Sequence, residues 1–250
     1  MTAPQETAPT AGMVVIGNEI LSGKIVDTNS PYLCRELNFL GIPLLRLYTI
    51  PDDFSLIGKT VREFSECFTW VFTSGGIGPT HDDLTIPAIA AGFDVPVVSH
   101  TVLEETIRAH YGDRLTEDHL LMARVPEGAE LIDTEGLNYP QVIFRNIFIL
   151  PGVPQLFQFK FNAIKERFRG VPIALREIYL KADEGRVAGC LREVDERFDG
   201  VLIGSYPSFF RKDYSLRVTI EGRSAERVDA ALSELESLLR NMDAAIVRIA

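Results

Sequence analysis

The stretch Phe72–Pro87, FTSGGIGPTHDDLTIP, carries the residue types that could do chemistry. Three glycines fall within four positions of it: Gly75, Gly76 and Gly78. Glycines adopt positive φ angles and let a ligand approach the bare backbone. The free N–H groups at the start of the helix that we expect over 84–91 attract anions. Because the pair Asp82-Asp83 would repel an anion, this loop predicts a phosphate site that also holds a cation.

Two common glycine-rich motifs do not fit this loop. A Rossmann fingerprint, G-x-G-x-x-G, would need a glycine where His81 stands. The triplet Gly58-Lys59-Thr60 resembles the end of a Walker A motif, but Asp53 occupies the position of its first glycine and the triplet falls inside a helical pattern. We therefore interpret Lys59 as an exposed helix residue. A tight turn without a ligand is the alternative for the loop, but helix capping accounts for one of the two acids and not readily for both.

The hydrophobic pattern predicts the elements that position these residues. Strand-like runs over Gly12–Ile16, Pro43–Ile50 and Thr69–Thr73 alternate with helical patterns. This order is typical of an α/β domain with an open, mostly parallel sheet, where ligands bind beyond the carboxyl ends of the strands. Asn18-Glu19, Asp52-Asp53 and the glycine loop each follow one of the three strands. We therefore expect all three segments at one edge of the sheet.

Two further groups of polar residues allow two interpretations. Asp27 and Asn29 precede Pro31 in a strong helix start, so they could cap that helix. They could equally form hydrogen bonds with a ribose, phosphate or pterin group in the cleft. Asp52 and Asp53 present the same choice at the next helix.

The pattern changes after residues 169–172, RGVP. We expect a disordered tail at 1–11, the α/β domain at 12–170 and a second domain at 173–250. In the second domain the predicted order is strand, helix, strand, strand, helix, strand, which is typical of a small α+β ferredoxin-like fold. The predicted elements are Ala174–Lys181, Glu184–Phe198, Val201–Tyr206, Tyr214–Glu221, Ala225–Asn241 and Ala245–Ile249.

Composition excludes several classes of protein. The 250 residues carry a net charge of −10, which disfavours a nucleic-acid partner. No apolar run reaches the ~20 residues of a membrane helix, and residues 1–11 lack the features of a signal peptide. Cys34, Cys67 and Cys190 are too far apart for a zinc motif, and we interpret them as buried small hydrophobes. We therefore expect a cytoplasmic protein with neither nucleic-acid nor membrane partners.

Four motifs occur in a fixed order along the chain: GNEILSG at 17–23, DTN at 27–29, GGIGPTHDDLT at 75–85 and LPGVP at 150–154. This set resembles the molybdopterin-binding-like (MoaB/Mog) domain at the N-terminus of competence/damage-inducible protein A (CinA). It is similar still more closely to the N-terminal domain of eukaryotic-type FAD synthases. The resemblance covers nearly all of Met13–Ala250. It implies the parallel α/β fold inferred above and a homo-oligomer as one arrangement of the family.

The resemblance also implies an activity. Stand-alone and CinA-type members resemble divalent-metal-dependent pyrophosphatases that act on ADP-ribose, FAD or similar dinucleotides. In the molybdenum-cofactor branch, an acid after the second strand and the second acid of the loop are functional, and these match Asp52 and Asp83. Gln155 stands where the LPGVP-type turn is often followed by Glu. The residues therefore leave open whether the site hydrolyses its ligand or only binds it.

Our leading hypothesis is a pyrophosphatase that uses Mg²⁺, Mn²⁺ or Co²⁺, because oxygen ligands favour such ions. A non-catalytic protein that binds molybdopterin or a related pterin is the alternative, and a scaffold with a vestigial pocket is a third. The candidate catalytic residues are Asp83, Asp52 and Asp82, and the candidate metal ligands are Asp82 and Asp83. The candidate substrate-binding residues are Asp27, Asn29, Gly75, Gly76, Gly78, Pro79, Thr80 and Thr85.

Overall fold

A computed structural model describes residues 8–134 and 137–250 of the chain. The chain divides into two compact units, Met1–Gly170 and Val171–Ala250. Of the predicted disordered tail, residues 1–7 lie outside the described residues. Ala11 already belongs to the first strand, because its N–H donates to the carbonyl of Pro43 at 2.9 Å.

The first unit is built on a sheet that is mostly parallel, as predicted. Its strand order is β2-β1-β3-β8-β7-β6; the first four strands run parallel, and β7 pairs antiparallel with β8 on one side and with β6 on the other. A separate antiparallel pair is formed by β4 and β5. The strands are β1 (Ala11–Ile16), β2 (Leu44–Ile50), β3 (Trp70–Ser74), β4 (Val97–Ser99), β5 (Arg124–Pro126), β6 (Glu130–Thr134), β7 (Leu137–Phe144) and β8 (Ile147–Leu150).

Helices cover both faces of this sheet. They are α1 (Asn18–Leu21), α2 (Asn29–Phe39), α3 (Phe54–Cys67), α4 (Thr85–Gly92), α5 (Thr101–Tyr111), α6 (Glu117–Leu121) and α7 (Pro154–Ile164), with 3-10 turns at Gly112–Arg114 and Lys165–Arg167. Because successive side chains of a strand point to opposite faces, β1 sends Val14 and Ile16 into one apolar cluster with α3 and α4. It sends Met13 and Val15 into a second cluster with α2 and α7. Both faces of β1 are therefore buried, which agrees with its continuous apolar sequence.

Helices α3 and α4 touch through their backbones. A Cβ atom at Gly58 would lie 2.5 Å from the carbonyl oxygen of Ala88, and one at Gly92 would lie 2.6 Å from the carbonyl oxygen of Gly58. Gly58 therefore serves close helix packing, and its neighbour Lys59 is exposed, as the sequence predicted. The glycine of the partial Walker A triplet has a structural role.

Some sequence expectations for this unit are wrong. The spacing of apolar residues in Thr116–Arg124 predicts a helix over that whole segment, but the helix covers only Glu117–Leu121, because Arg124–Pro126 pairs with β4 as a strand. Cys34 and Cys67 are exposed although we expected buried side chains, whereas Cys190, in the second unit, is buried as predicted.

The second unit has the predicted ferredoxin-like order of elements. They are β9 (Ala174–Lys181), α8 (Glu184–Arg197), β10 (Val201–Pro207), β11 (Leu216–Gly222), α9 (Ala225–Asn241) and β12 (Ala245–Ile249). The four strands form an antiparallel sheet in the order β10-β11-β9-β12. Both helices bury an apolar stripe against it, including Val187 and Val194 of α8 and Leu235 of α9. Across the described residues of both units, each helix is too short or too polar to span a membrane.

Candidate functional site

Three connections meet at the carboxyl ends of the parallel strands. Gly17 and α1 follow β1, the glycine loop follows β3, and the turn Pro151–Val153 follows β8. The N–H of Gly75 donates to the carbonyl of Leu150 at 3.2 Å, which ties the glycine loop to the third connection. A Cβ atom at Gly152 would lie 3.3 Å from Gly75 Cα, so the two loops pack backbone against backbone.

The glycine loop needs glycine at its first two positions. Gly75 and Gly76 have φ angles of 105° and 66°, a region that favours glycine. A Cβ atom at Gly75 would lie 2.2 Å from the carbonyl oxygen of Ile16, and one at Gly76 would lie 2.4 Å from Thr85 Oγ1. The buried Thr85 hydroxyl donates to the carbonyl of Gly75 at 2.8 Å. Thr85 therefore fixes the backbone of the glycine loop through this hydrogen bond.

The glycine loop supplies backbone donors for an anion just before the start of α4. The Thr85 N–H, which the sequence suggested as a free helix-terminal donor, bonds to the carbonyl of Gly76 at 2.9 Å. By contrast, the N–H groups of Gly76, Ile77 and Gly78 donate to no group in the described part of the chain. Successive N–H groups in a glycine-rich turn form a concave site for anions.

The acids of the loop do not cap α4, which begins two residues after Asp83. The Oδ2 atom of Asp83 accepts hydrogen bonds from the Thr80 N–H at 2.8 Å and from the Thr80 hydroxyl at 2.5 Å. A Cβ atom at Gly78 would lie 2.6 Å from that same oxygen, so Gly78 makes room for the carboxylate. The side chain of Asp82 is 62% exposed. Pro79 lies between Gly78 and Thr80 in the same loop.

The other predicted acids bind backbone groups at this edge. Asp52 Oδ2 accepts from the N–H of Asn18 at 2.7 Å and so braces α1 against the end of β2. Asp53 caps α3 by accepting from the N–H of Leu56 at 2.7 Å. Asp27 Oδ1 accepts from the N–H groups of two residues of α2, Asn29 and Ser30, each at 3.0 Å.

The side-chain amide of Asn29 has a nitrogen that bonds to the protein and an oxygen without a partner. Its Nδ2 donates to Ser74 Oγ at 2.9 Å and to the carbonyl of Gly152 at 2.8 Å, which links α2 to β3 and to the turn after β8. Its Oδ1 is buried and has no hydrogen-bond partner in the described structure. Asn29, Asp27 and Glu19 line a cavity of about 50 Å³ at this point. The carboxylates of Asp27 and Glu19 are therefore the acidic groups that line this cavity.

Two larger cavities, of about 180 and 600 Å³, meet at the glycine loop. Both are lined by Gly76, Ile77, Gly78, Asp83, Met122, Tyr139 and Lys160. The smaller one extends among apolar side chains such as Val97, Leu121 and Val142. The larger one extends to Glu19 and to the turn that ends at Pro154. We call the combined cavity the loop cleft; it has a polar centre and an apolar chamber on one side.

Lys160 is the residue of this cleft that sequence reasoning missed. Its side chain is 5% exposed, and Nζ donates to the carbonyls of Tyr139 at 3.0 Å and Pro140 at 2.8 Å. Burial lowers the pKa of Lys160 from 10.5 to about 8 and raises the pKa of Tyr139 to about 12. The sequence did contain a sign that this lysine is buried, because Lys160 lies within the apolar stripe of α7 between Phe157 and Ile164.

The described residues contain no group of three or more His, Cys, Asp or Glu side chains placed to hold a metal ion. A structural zinc site needs four such ligands, so these residues do not fit one. Mg²⁺ commonly uses one or two carboxylates together with water and phosphate oxygens. Asp83 keeps Oδ1 available, and Asp82 is beside it, so the loop fits an ion that the ligand's phosphates also bind.

A family model described as "Probable molybdopterin binding domain" matches residues 12–169, and one described as "FAD synthase, middle domain" matches residues 172–247. The first match spans more than half of the chain. The chain belongs to the molybdopterin-binding domain family. The resemblance inferred from the four motifs is therefore confirmed, together with the α/β fold that it implied.

Individual relatives agree with this family. A protein of Archaeoglobus fulgidus is 32% identical over 92% of this chain and 97% of its own length. A Caenorhabditis elegans protein named "Probable FAD synthase" is 31% identical over 92% of this chain, and the match spans 50% of its own length. The crystal structure of the protein CinA, of unknown function, from Thermoplasma acidophilum is 30% identical, with a TM-score of 0.59 over 64% of this chain and 98% of that one.

Proposed function

We propose that this CinA-like member of the molybdopterin-binding domain family is a divalent-metal-dependent pyrophosphatase that acts on a dinucleotide such as FAD or ADP-ribose. The observation that carries the proposal is that the loop cleft has a polar centre at the glycine loop and an apolar chamber next to it. Its centre offers free backbone N–H groups and a carboxylate, and an apolar chamber opens from that centre. A dinucleotide has the same order, with a charged pyrophosphate between two larger groups.

Each part of the loop has a role in this proposal. The N–H groups of Gly76, Ile77 and Gly78 bind phosphate oxygens. The two hydrogen bonds that Thr80 donates to Oδ2 fix the orientation of the Asp83 carboxylate. The other oxygen, Oδ1, is thereby held in one position. Asp83, with Asp82 beside it, would hold the divalent ion. Such an ion, when bound, neutralises the pyrophosphate and activates a water molecule.

Asp52 and Thr85 act in this proposal through other groups. Asp52 positions the connection after β1 through its bond to the Asn18 N–H. Thr85 maintains the glycine loop through its bond to Gly75. We therefore expect their replacement to reduce activity by displacing the loops that they hold.

The test is to incubate the protein with FAD, ADP-ribose and NAD, with and without Mg²⁺, Mn²⁺ or Co²⁺, and to measure mononucleotide release. We expect metal-stimulated release that is lost in Asp83→Asn. The matched control is Asp94→Asn, which removes an equal charge from an exposed side chain that pairs with Arg62. The absence of metal-stimulated release with all three dinucleotides would refute the proposal.

A second candidate is a protein that binds molybdopterin or a related pterin without hydrolysis. The carboxylates of Asp27 and Glu19 favour it, because they line a cavity beside the loop and a pterin ring carries N–H donors that such acceptors bind. Gln155, in place of the frequent Glu, also favours binding without turnover. A pterin retained on purification, with no nucleotide release in the assay above, would support this candidate.

A further inference from the structure

Lys160 is a buried cation without an anionic partner. Among the buried polar side chains of the described chain, Lys160 is the only one that carries a formal charge, and no described ion pair includes it. Burying a charge is costly unless an opposite charge or a full set of hydrogen bonds compensates. Two carbonyl oxygens accept from Nζ, which also lies 4.9 Å from the centroid of the Tyr139 ring, so the third donor of the ammonium group has a ring contact but no hydrogen-bond acceptor among the described residues.

Lys160 is part of the wall of the loop cleft. Lys160 lines both parts of it, together with Gly76 and Gly78, whose N–H groups are also free. The cleft therefore combines a buried positive charge with backbone donors. A doubly charged tetrahedral oxyanion suits such a combination, because it accepts several hydrogen bonds and supplies the missing negative charge.

We propose that Lys160 Nζ and the backbone N–H groups of Gly76–Gly78 form a phosphate subsite, which binds one phosphate of the ligand without help from a metal ion. This inference rests on the loop cleft being the ligand site of the proposed function. It adds a buried positive charge to a site whose side chains at the loop are acidic and whose smaller cavity is also lined by the exposed Arg124.

A purely structural role is the competing explanation. Lys160 connects α7 to β7 through the carbonyls of Tyr139 and Pro140. Lys160→Gln separates the two roles, because the amide of glutamine keeps two N–H donors for carbonyls but carries no charge. Lys160→Met removes both the donors and the charge.

The experiment measures inorganic pyrophosphate binding by calorimetry in a metal-free buffer with chelator. We expect the wild-type chain to bind and Lys160→Gln and Lys160→Met to bind at least about tenfold more weakly. Lys59→Met is the matched control, because it removes the same charge from an exposed position of α3 and should bind like the wild type. Circular dichroism on each variant shows whether it is folded.

Three outcomes would overturn the subsite: no binding by the wild type, unchanged binding by a folded Lys160→Gln, or an equal loss in Lys59→Met. The dinucleotide assay remains a separate readout. Binding that depends on Lys160 without nucleotide release would support the subsite and refute the pyrophosphatase. Metal-stimulated nucleotide release together with unchanged pyrophosphate binding by Lys160→Gln would support the pyrophosphatase and refute the subsite.

Discussion

The burial of Lys160 should leave a measurable signature in the pH dependence of stability. Each pKa unit corresponds to about 1.4 kcal/mol, so lowering the pKa from 10.5 to about 8 destabilises the folded state by about 3 kcal/mol when the ammonium group is charged. The folded protein loses this proton more easily than the unfolded chain does. Between these two pKa values the unfolded chain therefore binds more protons, and the free energy of unfolding increases as the pH increases.

The perturbation is Lys160→Met, which removes the titrating group. We expect the free energy of unfolding of the wild type, relative to that of the variant, to rise by about 2 kcal/mol between about pH 7 and pH 9.5. The comparison with the variant cancels groups that titrate equally in both proteins. Tyr139 does not titrate in this range, because burial raises its pKa to about 12.

Urea unfolding followed by tryptophan fluorescence is a suitable assay. Trp70 is the only tryptophan of the sequence, and its ring packs edge-on against Phe168 with 5.3 Å between the ring centroids. Both residues belong to the first unit, so the signal reports the unit that contains Lys160. A difference between the two proteins that stays constant, or that falls as the pH rises, would refute the reasoning.

Three other substitutions have defined outcomes. Asp83→Asn should abolish metal-stimulated release of mononucleotides, and Asp94→Asn should leave it unchanged, as measured by chromatography of the products. Gly76→Ala should lower the free energy of unfolding by about 1–3 kcal/mol in the Trp70 assay, because its Cβ would clash with Thr85 and the φ angle is positive; a neutral effect would contradict this loop geometry. Gly189→Ala should instead stabilise α8 by about 0.5–1 kcal/mol in thermal unfolding by circular dichroism, because a Cβ there meets no atom within 4 Å.

Much of the fold was predictable because its signals are local. Buried strands such as β1 give continuous apolar runs, and the glycines of the loop identify a backbone that needs unusual φ angles. The placement of the site at one sheet edge followed from topology alone, since parallel strands end on the same side. By contrast, β4 and β5 are three residues long each, and residues 100–123 separate them in the sequence. Strands this short carry too few residues to show a periodic pattern.

The parts of the site that escaped prediction depend on tertiary contacts. Lys160 is cleft-lining because α7 packs beside β7, which no spacing of residues in the sequence specifies. Asp52, Asp53 and Asp27 are equivalent in the sequence as capping acids, but their backbone partners differ in the structure. Asp83 bonds within its own loop to Thr80 because α4 begins later than its acids suggested.

The backbone contact between Gly58 and Gly92 makes ligand binding sensitive to substitutions that lie outside the loop cleft. Contacts between side chains can repack after a substitution, but a contact between two backbones can only separate. An alanine at position 58 would push α4 away from α3, and α4 begins at Thr85, the residue that anchors the glycine loop. Genetic screens for loss of ligand binding should therefore recover position 58, although it lines none of the cavities of the loop cleft.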